Sequence, residues 1–191
     1  MLNKSILIFT MLFISSWANA DLFDIQLSDD SARFSYAAEI FGGQFGPTDL
    51  DMGVYFDQDK DNLLHLGLLV RNDTLDNPLI IGIGTRFYYA DVGKHPGQTP
   101  TEGAVITIGG EVLYIPDAFN GFGLGLYGFI APSVTTFIDA DGFSEFGAII
   151  SYSVSEQARF YIGYRSIELN VENAEDIDID SGFIYGFNLR F

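Results

Sequence analysis

The chain has 191 residues, with 9 Lys and Arg against 26 Asp and Glu, no Cys, 10 Tyr and 18 Phe, for a formal charge of −17. That length suits one domain, and the lack of Cys removes disulfides, thiolate metal sites and thiol nucleophiles. The acidic balance, with no Lys/Arg cluster, argues against nucleic acid as a partner, while a hydrophobic share of 48% is too high for a disordered acidic chain.

Lys4 precedes an apolar run from Ile6 to Ile14, and Ala18-Asn19-Ala20 supplies an A-x-A cleavage site. Residues 1–20 therefore read as a secretory signal peptide and residues 21–191 as the exported domain. The run is shorter than the ~20 residues of a membrane-spanning helix, and no later stretch suits one. Without the leader, 8 basic groups face 26 acidic ones, a net charge of −18.

Beyond the leader, apolar residues recur at alternate positions, the strand period. Phe23, Ile25 and Leu27 lead to a turn at Asp29-Asp30, and Ala32, Phe34 and Tyr36 return, with Leu27 opposite Ala32 and Phe23 opposite Tyr36. Leu50, Met52, Val54 and Phe56 then precede an Asp-rich loop, Gln58 to Asn62, and Leu64, Leu66, Leu68 and Val70 come back, with Phe56 opposite Leu64 and Leu50 opposite Val70. Further strands are predicted at Leu79 to Tyr89, Ala104 to Tyr114, Phe122 to Ala131, Phe143 to Val154, Ala158 to Leu169 and Gly182 to Phe191. The preferred count is ten, and it becomes eight if the first strand lies in the lumen or two strands merge.

One face of this array is apolar and the other polar, a pattern shared by soluble sandwiches and membrane barrels. Three features favour the barrel. Aromatics near strand ends (Phe87, Tyr89, Tyr114, Phe122) match interfacial girdles. Isolated mid-strand Arg and Glu suit a wet or networked lumen better than a dry core. The last strand places Phe183, Tyr185, Phe187, Leu189 and Phe191 at alternate positions, which resembles the terminal signature by which bacterial outer-membrane barrels are recognised for assembly.

The expected fold is thus all-β, a transmembrane antiparallel β-barrel. Its expected location is the outer membrane of a Gram-negative bacterium, reached through the periplasm. The partners implied are outer-membrane lipid and lipopolysaccharide, and the barrel assembly machinery through the C-terminal strand. An even strand count puts both termini in the periplasm. Asp29-Asp30, Gln58 to Asn62, Ala90 to Gly103, Pro132 to Gly142 and Asn170 to Ser181 then lie outside, and Gly42 to Thr48, Arg71 to Pro78, Asp117 to Gly121 and Ser155 to Gln157 lie on the periplasmic side.

Alternation turns His65, Arg86, Glu111, Glu145, Arg165 and Arg190 inward as a candidate lumen charge network. Inward glycines such as Gly82, Gly147 and Gly186 leave room for Tyr88 and Tyr127 to fold across the interior. No catalytic, cofactor or metal residue is assigned. His65 and His95 are the only histidines, and no G-x-S-x-G motif accompanies them. The Asp57 to Asp61 run departs from a calcium loop at Asn62 and Leu68. The acidic runs Asp139-Ala140-Asp141 and Glu175 to Asp180 read as solvated loops, and surface Ca²⁺ or Mg²⁺ beside anionic lipid is the one ion reading left open. The role expected is structural, or that of a narrow, porin-like pore for small solutes or ions. The alternative is an outer-membrane enzyme acting on lipid or peptide at the extracellular rim.

Several blocks together resemble the YfaZ family of Gram-negative outer-membrane proteins. They are Leu27-Ser28-Asp29-Asp30, Gly84 through Asp91, Gly109-Gly110-Glu111-Val112-Leu113-Tyr114-Ile115-Pro116, Tyr127 through Val134 with Phe137-Ile138-Asp139-Ala140-Asp141, Tyr161-Ile162-Gly163-Tyr164-Arg165 and the Phe191 strand. The resemblance spans nearly all of residues 21–191. It implies an outer-membrane barrel and supplies no catalytic residues.

Overall fold

The structure, a computed structural model, describes residues 22–43, 46–72, 78–93, 100–171 and 176–191. The signal peptide read over 1–20 and His95 lie outside the described residues. Alternation produces ten long antiparallel strands: β1 (Leu22–Leu27), β2 (Ser31–Gly43), β3 (Gly46–Asp57), β4 (Asn62–Arg71), β5 (Leu79–Val92), β6 (Thr101–Tyr114), β7 (Phe122–Ala131), β9 (Ala140–Ser153), β10 (Ala158–Val171) and β11 (Ile177–Arg190). A short β8 (Thr136–Ile138) lies beside β6. Each long strand pairs with the next long strand, and β1 pairs with β11 to close a ten-stranded barrel. The eight-strand alternative is not realised.

The first hairpin has the predicted register, with Leu27 opposite Ala32 and Phe23 opposite Tyr36. The second is displaced by two residues from the expected pairing: Phe56 faces Asn62, Val54 faces Leu64 and Leu50 faces Leu68. The turn decides this. The Asp57 N–H donates to the Asp61 carbonyl at 3.2 Å, and the Asp61 N–H donates to Asp57 Oδ1 at 2.9 Å. A displacement of two leaves every side chain on its original face, so the hydrophobic pattern cannot oppose it.

The long-loop end also differs from the sequence reading, because strands run further into the predicted loops. β5 extends to Val92 and β6 begins at Thr101, β9 begins at Ala140 rather than Phe143, and β11 begins at Ile177 rather than Gly182. Asp178 and Asp180 are therefore strand residues, not part of a solvated acidic loop. A bulge shifts the β10–β11 register between Ile167 and Glu168. It lets Ile179 and Asp180, adjacent in sequence, both be buried, since the extra residue of a bulge re-aims its neighbours.

The outward face is apolar. Along β4, Leu64, Leu66, Leu68 and Val70 are exposed while Leu63, His65, Leu69 and Arg71 are buried. Leu66 is 51% and Ile108 64% exposed; a soluble sandwich would have hidden both in its core. This arrangement is inside-out relative to a water-soluble fold.

The interior is not polar throughout, contrary to the expectation of a hydrophilic face along the whole axis. Near the long loops Tyr55, Leu63, Val92, Val105, Phe143, Ile167, Leu169, Ile177 and Ile179 form a dry cluster across the barrel. Polar and charged groups occupy the middle and the end that carries the termini. β1 is only six residues long and reaches only Tyr185 to Arg190 of β11. Beyond it, the Tyr55 hydroxyl donates to the Ile179 carbonyl at 3.2 Å, so a side chain from β3 bonds backbone that β1 does not reach.

Several bulky inward side chains lie directly across from a glycine on the neighbouring strand: His65 from Gly53, Arg86 from Gly67, Glu111 from Gly82, Tyr127 from Gly147 and Tyr161 from Gly186. A Cβ at Gly147 or Gly186 would fall on the ring of Tyr127 or Tyr161. The glycines supply the space in which these side chains cross the lumen, the pairing known as aromatic rescue where the partner is a ring. Gly186→Ala is expected to lower stability by about 1–3 kcal/mol through overpacking, measured by urea unfolding. Gly182→Ala, whose Cβ would meet only Ser28 Oγ at 3.7 Å, should leave the midpoint unchanged.

Candidate functional site in the lumen

All the guanidinium groups of the chain are on the lumen side: Arg33, Arg71, Arg86 and Arg165 are buried, and Arg159 and Arg190 line a cavity at the terminus end. Strand alternation places them there, each flanked in sequence by residues of the opposite face. A guanidinium stays charged, so its burial requires acceptors.

The central group is built around Glu145 and Asp51. Glu145 accepts from Arg33 Nη1 and from the Tyr88 hydroxyl at 2.6 Å. The Tyr88 hydroxyl in turn accepts from Arg86 Nη1 at 3.3 Å. Arg86 Nε donates to Asp51 Oδ2 at 2.6 Å, while His65 Nε2 lies 3.4 Å from Asp51 Oδ1. The Arg86 guanidinium also stacks 4.0 Å above the Phe129 ring, a cation–π contact strengthened by the dry surroundings. Six strands, β2, β3, β4, β5, β7 and β9, are thereby joined through side chains alone.

Two further groups flank this centre. Arg165 donates through Nε and Nη2 to Asp180, and through Nη1 to Gln26 at 2.7 Å. Arg71 bridges Glu111 at 2.6 Å and Asp49. Nearer the termini, the Tyr161 hydroxyl lies 2.8 and 2.9 Å from the two oxygens of Asp24.

Of the residues expected in a lumen network, Arg86, Glu145 and His65 meet in the central group. Glu111 joins Arg71 instead, Arg165 joins Asp180, and Arg190 lines the cavity at the terminus end. The sequence reading missed Arg33, Asp49, Asp51, Arg71 and Asp180. Arg33, Asp49 and Asp51 alternate with Phe34, Leu50 and Met52, and that alternation was the available signal. Asp180 gave none, because it sits in an acidic run that reads as loop.

His65 is in the lumen and not at a rim. Ser35 lies across Gly53 from it, lateral in the sheet, but no hydrogen bond links Ser35 to His65 among the described residues. Among those residues there is also no group of three or more His, Asp or Glu able to hold a metal ion. At the long-loop rim, Asp61 Oδ1 accepts the Gly93 N–H at 2.7 Å, so that carboxylate braces loops.

A family model described as YfaZ precursor matches residues 8–191. Comparison with curated proteins finds no match. Among solved structures, one titled "Unveiling the Mechanism Behind the in-meso Crystallization of Membrane Proteins" aligns over 92% of this chain and 83% of that chain, with 9% identity and a TM-score of 0.43.

Removing one partner of a buried pair leaves an uncompensated charge. Glu145→Leu, which strands Arg33, is expected to cost about 3–5 kcal/mol in urea unfolding of the refolded barrel. The double variant Arg33→Met/Glu145→Leu should recover much of that loss; equal destabilisation in the single and double variants would count against the ion pair as its origin.

Proposed function

The chain belongs to the YfaZ family, and on that premise we propose that it is an outer-membrane β-barrel with a structural role, closed to the passage of solutes. The observation that carries this reading is the filled interior. The apolar cluster from Tyr55 to Ile179 spans the lumen near the long loops, and the Arg–Glu–Tyr–Asp group spans it below. An ion crossing would have to part a dry cluster and break paired charges, each step carrying a large desolvation cost.

The apolar outer wall supports insertion in lipid, since only a closed barrel or a helix satisfies its backbone there, and large exposed apolar surfaces mark membrane contact. In this reading the terminus end faces the periplasm of a Gram-negative cell and the longer loops face outward. Lipid and lipopolysaccharide surround the wall. The outward Phe183, Tyr185 and Phe191, with Phe187 and Leu189 on the same face of β11, present the strand to the barrel assembly machinery.

Purified protein reconstituted in planar bilayers is expected to give a flat current trace under applied voltage. Reproducible unitary steps would overturn the closed lumen. Lipid contact has a separate test at Val54, an outward residue of β3 that is 41% exposed. Val54→Arg should destabilise the barrel in lipid vesicles by ~2–4 kcal/mol if the position is near mid-bilayer. A variant as stable as the parent would argue against hydrocarbon at that face.

A further inference from the structure

β7 ends at Ala131, and further along the same stretch of chain β8 takes its place beside β6. Ile108 faces Ile130 in the β6–β7 pairing and Val105 faces Thr136 in the β6–β8 pairing. Six residue steps on this stretch therefore stand against three on β6, and the surplus forms a 3₁₀ turn, Ser133–Thr135, entered through Pro132. Val134 in that turn is 84% exposed, more than any other large apolar side chain among the described residues. Phe137 follows, opposite Ala104, whose neighbour on the other side is Tyr89.

Two features suit this segment to apolar surroundings. The first is Ile138, which faces Gly103. A Cβ at Gly103 would meet Ala140 Cβ and the Leu169 side chain, so strict alternation would turn Ile138 toward the dry cluster. Instead its φ is 66° and its side chain is 59% exposed. A β-branched residue rarely adopts that left-handed conformation, and such strain persists where surrounding structure or a role outweighs it. The second is the fate of the polar groups. The Thr135 N–H and hydroxyl both donate to the Pro132 carbonyl, at 2.9 and 3.0 Å, and the Thr136 hydroxyl donates to the Ser133 carbonyl at 2.8 Å. Pro132 has no N–H to satisfy. Internal pairing of this kind is what a bilayer requires of any backbone it meets.

We propose that residues 132–138 form a knob docked into the lipid surface, with Val134, Phe137 and Ile138 seated among acyl chains at the edge of the hydrocarbon. The inference rests on the lipid-embedded barrel proposed above and adds a specific contact to it. Continuity and charge select lipid as the occupant. On one side of the knob the outer wall continues through the exposed Ile106, Ile108 and Ile130. On the other side charge begins at once: Asp139 and Asp141 are exposed, and the Asp139 N–H donates to the Glu102 carbonyl at 3.3 Å. Carboxylates suit headgroups and water, not hydrocarbon, so the knob lies just inside that boundary. Interfaces between proteins carry roughly ten direct hydrogen bonds, and a segment whose threonine donors are already engaged offers few.

Trp17, the chain's one tryptophan, lies in the stretch read as signal peptide, so residues 21–191 carry none and a single introduced Trp reports one position. Three variants are refolded into phosphatidylcholine vesicles, with and without lipid brominated near the headgroup end of its acyl chains: Val134→Trp, Leu66→Trp in the outer wall, and Gln58→Trp in the exposed turn between β3 and β4. Val134→Trp is expected to emit at short wavelength, to lose most of its fluorescence to brominated lipid as Leu66→Trp does, and to resist aqueous iodide. Gln58→Trp should respond to iodide and not to bromine. Phe137→Trp, a ring-for-ring change, carries the same test if Val134→Trp does not refold. Bromine quenching at Leu66→Trp with only iodide quenching at Val134→Trp would overturn the knob and leave the lipid-facing wall intact. Shielding of Val134→Trp from both quenchers would assign the contact to a second copy of the chain and overturn it equally. Absence of bromine quenching at Leu66→Trp as well would remove the lipid-embedded barrel, and the knob with it.

Discussion

One spatial arrangement recurs through the interior of this barrel: a bulky side chain crosses the lumen beside a strand position that offers no side chain, at His65, Arg86, Glu111, Tyr127 and Tyr161. Eight strands already make a cylinder that ordinary residues fill, and ten leave somewhat more room, which Arg, Tyr and Glu occupy at full length. Tyr127 over Gly147, Tyr161 over Gly186 and Arg86 beside Gly67 are instances of the same rule. In the charge network these pairings make room for His65, Arg86 and Glu111, whereas Arg33, Tyr88 and Glu145 reach the axis from positions flanked by side chains.

That arrangement also specifies register. Slipping one strand by two residues keeps apolar groups outside and polar groups inside, so the lipid-facing pattern is blind to it. The same slip would move Arg86 away from Asp51 and Arg165 away from Asp180, and would set Tyr161 against a residue with a Cβ. Buried ion pairs are poor sources of net stability, but in a sheet whose outer surface is uniformly greasy they distinguish one alignment from its neighbours.

The legible part of the fold followed from period two. Strand existence, the inward placement of His65, Arg86, Glu145 and Arg165, and the outward placement of Leu66 and Ile108 all depend only on which face a residue takes, and the first hairpin's register needed in addition only the tight turn at Asp29-Asp30. What was not legible depends on distances between strands. The β3–β4 alignment is fixed by the Asp57 carboxylate capping its own turn, a local bond that apolar alternation does not report. Asp180 looked like part of an acidic loop until a bulge turned it inward, opposite Ile167 and within reach of Arg165. The apolar cluster was hidden for a related reason: Ile177 and Ile179 lie where the sequence reading placed the loop Asn170 to Ser181, so the inward partners of Ile167 and Leu169 at the end of the preceding strand went unseen.

The seam between β1 and β11 joins residues near opposite ends of the described chain through only six paired positions. Every other junction between long strands can zip from a nearby turn, whereas this one must trap almost the whole chain as a loop, and that entropy is recovered only when the circle is complete. Closure is therefore the junction that draws least on local contacts and most on the rest of the cylinder. The Tyr55 bond to Ile179 acts as a latch on a door whose hinge side is already built.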